Sequence, residues 1–329
     1  MKRQIVVGVF AACGAASVAA GQAADLAWGI SDPRARVYIP GPAQPPVNWN
    51  HNPTDAVLWD NGPFVTGPAA AGGCVGSQSL LQNPSMCLNT FGYTASAAFN
   101  LADDFTLTSA STVSSITVYA YQTTATAPSI TGGTMRIHTS QPVLPTDPAI
   151  ATTSTVAPVT MSGVFRQSEI TIPCTRQIQI VKFTFAPAVN LPAGTYWISW
   201  LLTGNAALTG PFTPPVSIIG QFGKPGANAQ QSNPGFIPVV DAGVLGCIPA
   251  APNPPVPVPN PQDFPFVVEG SAACYPDCNN SGSLTVADFG CFQGKYVLGD
   301  MYADCNASGT LTVADFGCFQ GKYVLGCTP

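Results

Sequence analysis

Residues 277–299 read DCNNSGSLTVADFGCFQGKYVLG and residues 304–326 read DCNASGTLTVADFGCFQGKYVLG. The copies are offset by 27 residues and differ at two positions. A repeat this short and this close is one supersecondary unit used twice, so the C-terminus is expected to fold as a pair. Each copy opens on oxygen-bearing side chains at alternate positions of a twelve-residue stretch. Asp277, Asn279 and Ser281 stand at positions 1, 3 and 5, Gly282 at 6, Ser283 at 7 and Asp288 at 12. The second copy places Asp304, Asn306, Ser308, Gly309, Thr310 and Asp315 in the same register. A hard cation with six to eight oxygen ligands suits such a loop: side chains at 1, 3, 5 and 12, a backbone carbonyl at 7, and glycine at the sharp turn. The pattern predicts two Ca2+ ions, one per loop. The competing reading is an Asx-rich turn, which rarely keeps the full register and hardly ever twice. Each loop has only two carboxylates, with Asp rather than Glu at position 12, so moderate affinity is expected.

Thr285 and Thr312 stand at position 9. Leu284 and Leu311 stand at position 8, where two loops can pair through a short strand. The stretch that follows, VADFGCFQGKYVLG, predicts one helix per copy. Phe289, Phe292 and Tyr296 give it an apolar face, and Gly299 and Gly326 are C-terminal stop signals. Pro276 and Gly299 argue against a helix ahead of either loop.

A duplicated loop with only the exiting helix, and with Asp at position 12, resembles the dockerin module. The doubled DCN…GxLTVADFGCFQ…G pattern is similar to the cysteine-containing dockerins of exported planctomycete-type bacterial proteins. The resemblance covers residues 274–329. It implies calcium-dependent folding and docking to a cohesin-like receptor or surface scaffold protein. Positions 10 and 11, here Val286, Ala287, Val313 and Ala314, are the implied partner-binding residues, and their identity in both copies permits two docking orientations. The cysteines are a departure from familiar dockerins. Six cysteines allow fifteen pairings. The symmetric choice is a Cys274–Cys327 clasp plus two equivalent bridges among Cys278, Cys291, Cys305 and Cys318.

The chain begins with Lys2 and Arg3, an apolar small-residue run over 5–20, and small residues up to Ala23. This predicts a signal peptide over residues 1–23 and a secreted, extracellular or cell-surface protein, with no transmembrane segment after cleavage. Of the 11 cysteines, Cys13 leaves with that segment. Cys74, Cys87, Cys174 and Cys247 join the six C-terminal ones as disulfide candidates in an oxidising compartment. With two histidines and no Cys-x-x-Cys pair, zinc is the weaker reading. The net charge of −5 and the lack of any later basic run argue against nucleic acid.

Residues 24–270 carry only strand signals. Segments 113–123, 133–140, 177–185, 194–202, 215–222 and 264–270 are rich in β-branched and aromatic residues and bounded by turn formers. Charged residues make up 8% of the chain, against about a quarter in ordinary globular domains. The expected fold is mainly β, a jelly-roll-like β-sandwich, followed by the small α module over 271–329. The pattern ADDFTL, SITVYAYQT, LPAGTYWISW and PFVVEG resembles a sandwich domain of exported bacterial proteins without an assigned activity. The proline-rich stretch 249–261 reads as a stiff loop within the sandwich, because strand signal 264–270 follows it.

Catalytic constellations are scarce. Glu169 and Glu269 are the only glutamates, and no GxSxG, HExxH or phosphate loop occurs. Asp103, Asp104 and Glu269 could form a rim cation site or cap turns. His51 and His138 read as packing or surface residues rather than catalytic ones. Of Trp197 and Trp200, which have opposite parity, one can face outward as a glycan platform, as can the pair Tyr119 and Tyr121, although core packing is the commoner fate of such residues. The inventory favours a non-catalytic structural or binding protein; the alternative is a dockerin-bearing polysaccharide-degrading hydrolase.

Overall fold

The computed structural model describes residues 55–96, 99–244, 260–272, 274–279, 284–306 and 308–326. The proposed signal segment, His51, Cys247, Cys327, Ser281, Ser283 and most of the proline-rich stretch lie outside them.

The chain is mainly β. Its strands are β1 (Ala56–Asp60), β2 (Ser77–Leu81), β3 (Tyr93–Thr94), β4 (Leu101–Leu107), β5 (Ser111–Thr123), β6 (Ile130–His138), β7 (Ala151–Thr153) and β8 (Thr160–Ser168). There follow β9 (Gln177–Leu191), β10 (Gly194–Gly204), β11 (Thr209–Thr213), β12 (Gln230–Ser232), β13 (Phe236–Pro238), β14 (Val240–Asp241), β15 (Asn260–Pro261) and β16 (Phe266–Ala272). One sheet runs β1-β16-β5-β9-β8-β2, with β11 bridging β5 and β3; a second runs β13-β12-β4-β10-β6-β7; β14 and β15 form a ribbon. Pairing is antiparallel except between β2 and β8.

Alternation decides what each strand buries. In β10 Tyr196, Ile198, Trp200 and Leu202 face one apolar cluster, which also takes Phe105, Met135 and Ile137 from the same sheet. The first sheet supplies Val113, Ile116, Val118, Val181, Phe183, Phe266 and Val268 to that same cluster. Strand β5 is buried on its other face too, where Tyr119 and Tyr121 join Phe64, Leu81, Ile178, Ile180 and Phe212. This double burial explains its nearly unbroken apolar run.

Segment 215–222 is not the expected strand; it forms irregular chain and turns. Pro214 and Pro215 bring no N–H groups to a ladder, and the next donors are spent elsewhere, Val216 on the Asp263 carbonyl and Ser217 on the Pro63 carbonyl. Conversely, Asn260–Pro261 at the end of the proline-rich stretch pairs with Val240–Asp241.

Two buried charges grip one loop. Arg166 donates to the carbonyls of Phe91 at 2.9 Å and Thr90 at 3.2 Å, and to the Ser217 hydroxyl at 2.8 Å. Asp241 accepts from the backbone N–H of Thr90 at 2.9 Å, of Asn89 at 3.2 Å and of Gly243 at 2.8 Å. The Thr90 residue thus sits between a cation on its carbonyl and an anion on its amide. A disulfide joins Cys74 to Cys174, 100 residues apart, and Cys87 is also disulfide-bonded.

Two helices close the described chain: α1 (Val286–Val297) and α2 (Val313–Leu325). A three-residue 3-10 turn, Met301–Ala303, precedes the second loop, where the sequence predicted no helical structure. The Asp300 side chain starts it by accepting from the Tyr302 N–H. Gly299 and Gly326 adopt φ of 74° and 79° and end the helices as expected. Among the described residues, no helix is long and apolar enough to cross a membrane.

Candidate calcium sites in the C-terminal repeat

The sequence repeat becomes a two-fold arrangement in space. Phe292 stacks on its counterpart Phe319, ring centroids 4.2 Å apart. Phe289 meets Tyr323 at 4.6 Å and Tyr296 meets Phe316 at 4.7 Å, which is the same contact viewed from either copy. Tyr275 stacks on Tyr302 at 4.9 Å, and each hydroxyl donates to the other residue's carbonyl. Burial raises both hydroxyl pKa values, that of Tyr302 to about 12, so both remain donors at neutral pH. Lys295 and Lys322 lie over the Tyr302 and Tyr275 rings, at 4.7 and 4.3 Å. The tyrosine pair has a sequence signal: Tyr275 and Tyr302 stand in register, two residues ahead of Asp277 and Asp304.

This aromatic core places the two loops. In the second, the predicted oxygens converge. The Ser308 Oγ lies 3.4 Å from Asp304 Oδ1, 3.0 Å from the Thr310 carbonyl and 3.3 Å from the Thr310 hydroxyl. Asp304 and Asn306 side chains also accept from the Ser308 N–H at 2.9 and 3.0 Å. Oxygens that share one Ca2+ at about 2.3–2.6 Å stand roughly 3–3.5 Å from one another, so this donor set fits the ion. Gly309, with φ of 80°, makes the turn and gives its N–H to Asp304 at 2.7 Å.

The position-12 carboxylates have a second task. Asp315 accepts from the Thr312 N–H at 2.7 Å and Asp288 from the Thr285 N–H at 2.8 Å, so each anchors the start of its own helix. Their other oxygens accept from the Asn306 and Asn279 N–H groups, both at 3.3 Å. Both Asp residues are fully buried by surrounding atoms. Burial opposes ionisation of Asp288, but the N–H groups of Thr285 and Asn279 outweigh it and hold the carboxyl below its ordinary range. The Thr312 N–H leads the same effect at Asp315, against its burial. In the first loop the Asp277 side chain adds slightly to the lowering at Asp288.

Among the described residues no three His, Cys, Asp or Glu side chains gather into a metal group. The second loop instead combines the Asp304 and Asp315 carboxylates with amide, hydroxyl and carbonyl oxygens, a set that fits a hard cation. The strand expected through Leu284 and Leu311 does not form; both lie in irregular chain. Cys278 bonds Cys291 and Cys305 bonds Cys318, the bridges lying within each copy. Cys274 is disulfide-bonded as well. Val286, Ala287, Val313 and Ala314 are all exposed, the two valines at 85% and 84%.

Among the described residues, the β region offers no comparable site. Asp103 points into the core, where it accepts from Asn61 at 3.0 Å and from the Phe264 N–H at 2.8 Å. Burial, with Asp263 nearby, pushes its pKa well up. Glu269 belongs to the other sheet, where it pairs with Lys182 at 2.7 Å. The suggested rim site of Asp103, Asp104 and Glu269 is therefore split between two networks. His138 is buried, its Nε2 2.9 Å from the Ser199 hydroxyl and its Nδ1 3.0 Å from the Pro148 carbonyl. Trp200 fills the core and Trp197, on the opposite face, is buried too, as are Tyr119 and Tyr121, so none offers an exposed glycan platform. A scan against protein-family models, a search of curated proteins and a search of solved structures found no match to this chain.

Proposed function

We propose that this protein is a secreted, non-catalytic binding or structural protein. Its jelly-roll-like β-sandwich carries a dockerin-like module that holds two Ca2+ ions and docks to a cohesin-like or surface scaffold partner. The observation that carries this reading is the meeting of Asp304, Asn306, Ser308, Thr310 and Asp315 around one loop, repeated in sequence by Asp277, Asn279, Ser281, Ser283 and Asp288. Bound calcium would supply positive charge to a loop that gathers two carboxylates. Asp288 and Asp315 transmit that order to the first turns of α1 and α2. The exposed Val286, Ala287, Val313 and Ala314 on those turns then form two equivalent partner surfaces. The disulfides suit an oxidising compartment.

The test is thermal unfolding of the full chain with excess calcium and with a chelator, followed by docking to immobilised cohesin domains in both. Calcium should raise the midpoint and permit docking. Identical midpoints would contradict the metal reading; a raised midpoint without docking would contradict the partner.

A further inference from the structure

Each candidate loop is closed by its own disulfide. Cys278 at loop position 2 bonds Cys291, three residues beyond Asp288, and Cys305 bonds Cys318 in the same relation, each with a sequence separation of 13. Ligand positions 3 to 12 lie inside each covalent ring, and position 1 is the residue next to it. The stapled residue adjoins the site: Cys305 is the chain neighbour of Asn306, whose N–H bonds the Asp315 carboxylate at 3.3 Å. The aromatic core has ring contacts of its own between the helices and between Tyr275 and Tyr302, and all four bridge cysteines pack in the same cluster, so its integrity is followed separately in the test.

We propose that these disulfides set the calcium affinity of their own loops, so that each site is gated by redox state; this rests on the calcium reading above. An empty loop with two carboxylates must be ordered before it can surround an ion. The ring removes part of that ordering cost, and for this ring size the effect is at most about a hundredfold in the binding constant. Reduction has an open route. Cys278 and Cys305 are buried at 5% and 7% exposure, whereas Cys291 and Cys318 are half-buried. A thiolate of a dithiol reductant attacks Sγ of Cys291, and Cys278 leaves as a thiolate that takes up a proton. The reductant's second thiol then releases Cys291 as a thiol, and the reductant departs as a cyclic disulfide. Two electrons and two protons pass from the dithiol to the cysteine pair. By linkage, calcium makes the disulfide harder to reduce by the same factor.

The experiment uses the full chain with Cys278→Ser and Cys291→Ser together, leaving the second loop as an internal reference. Calcium chloride is titrated by calorimetry, and near-ultraviolet circular dichroism follows the aromatic core. The expected result is one unchanged site and one weakened by about ten- to a hundredfold. Two unchanged sites overturn the proposal. Loss of both sites with collapse of the aromatic signal overturns it as well, since the bridge would then hold the module's fold and not its loop. A dithiol redox titration of the unaltered chain is the second readout. Calcium should lower the disulfide potential by about 30–60 mV, which is that fold-change at 29.6 mV per tenfold; an unmoved potential overturns the coupling. If the unaltered oxidised chain takes up no calcium, the calcium reading itself fails, an outcome distinct from an unmoved affinity.

Discussion

Tyr275 and Tyr302 stack with their planes 12° apart, and each hydroxyl bonds the carbonyl of the other. They are equivalent residues of the two copies, so the contact is its own mirror across the repeat. Removing either hydroxyl should cost about the same. Tyr275→Phe and Tyr302→Phe are each expected to lower stability by about 1 kcal/mol in denaturant unfolding of the full chain, with the double variant departing from additivity. Unequal costs would mean that the two halves are not energetically equivalent.

Arg166 is held by two carbonyls and by hydroxyls inside the β region, and burial lowers its pKa to about 10. Arg166→Met should destabilise by about 3–5 kcal/mol, because the Thr90 and Phe91 carbonyls and the Asp241 carboxylate lose their buried cation. Arg166→Lys should recover little of this, since an ammonium cannot reproduce the planar fork. Urea midpoints of the three proteins provide the check.

Removing the Cys74–Cys174 bridge by a double Ser substitution should lower stability by about 2–5 kcal/mol, because it closes a loop of 100 residues. The calcium affinities of the C-terminal repeat should not move. Calorimetry and thermal unfolding of the same sample would separate the two effects.

His138 gives a pH dependence of known sign. Burial lowers its pKa, reinforced by Arg136 and opposed by the Pro148 carbonyl and Asp147. The folded state therefore favours the neutral ring, and the unfolded state binds more protons. The contribution of this residue is present above the unfolded value of about 6.5 and is lost as pH falls through the lower folded value. His138→Gln should flatten that part of the stability–pH curve between pH 7.5 and pH 5. An unchanged slope would assign the acid sensitivity to other groups.

Much of the repeat was legible because its chemistry is local. The loop register, the helix stops at Gly299 and Gly326 and the apolar faces all follow from residues within one copy. The strand signals held where alternation met a sheet, as in β5 and β10, and failed at 215–222, where paired prolines withdrew the donors. What could not be read were partners distant in sequence. Asp103 looked like a rim residue, yet it shares the inward parity of Leu101, Phe105 and Leu107. Only Asn61 and Phe264, 42 and 161 residues away, make its burial tolerable. The in-copy disulfide pairing is likewise a product of how each loop folds back on its helix, which spacing alone left open.

The central claim is that the two loops bind two calcium ions, and calorimetric titration of the full oxidised chain tests it most directly. The expected result is two ions per chain, with dissociation constants of order 10⁻⁵–10⁻³ M, and one ion for either Asp288→Asn or Asp315→Asn. No heat of binding in the unaltered chain, or two ions retained by Asp315→Asn, would contradict it.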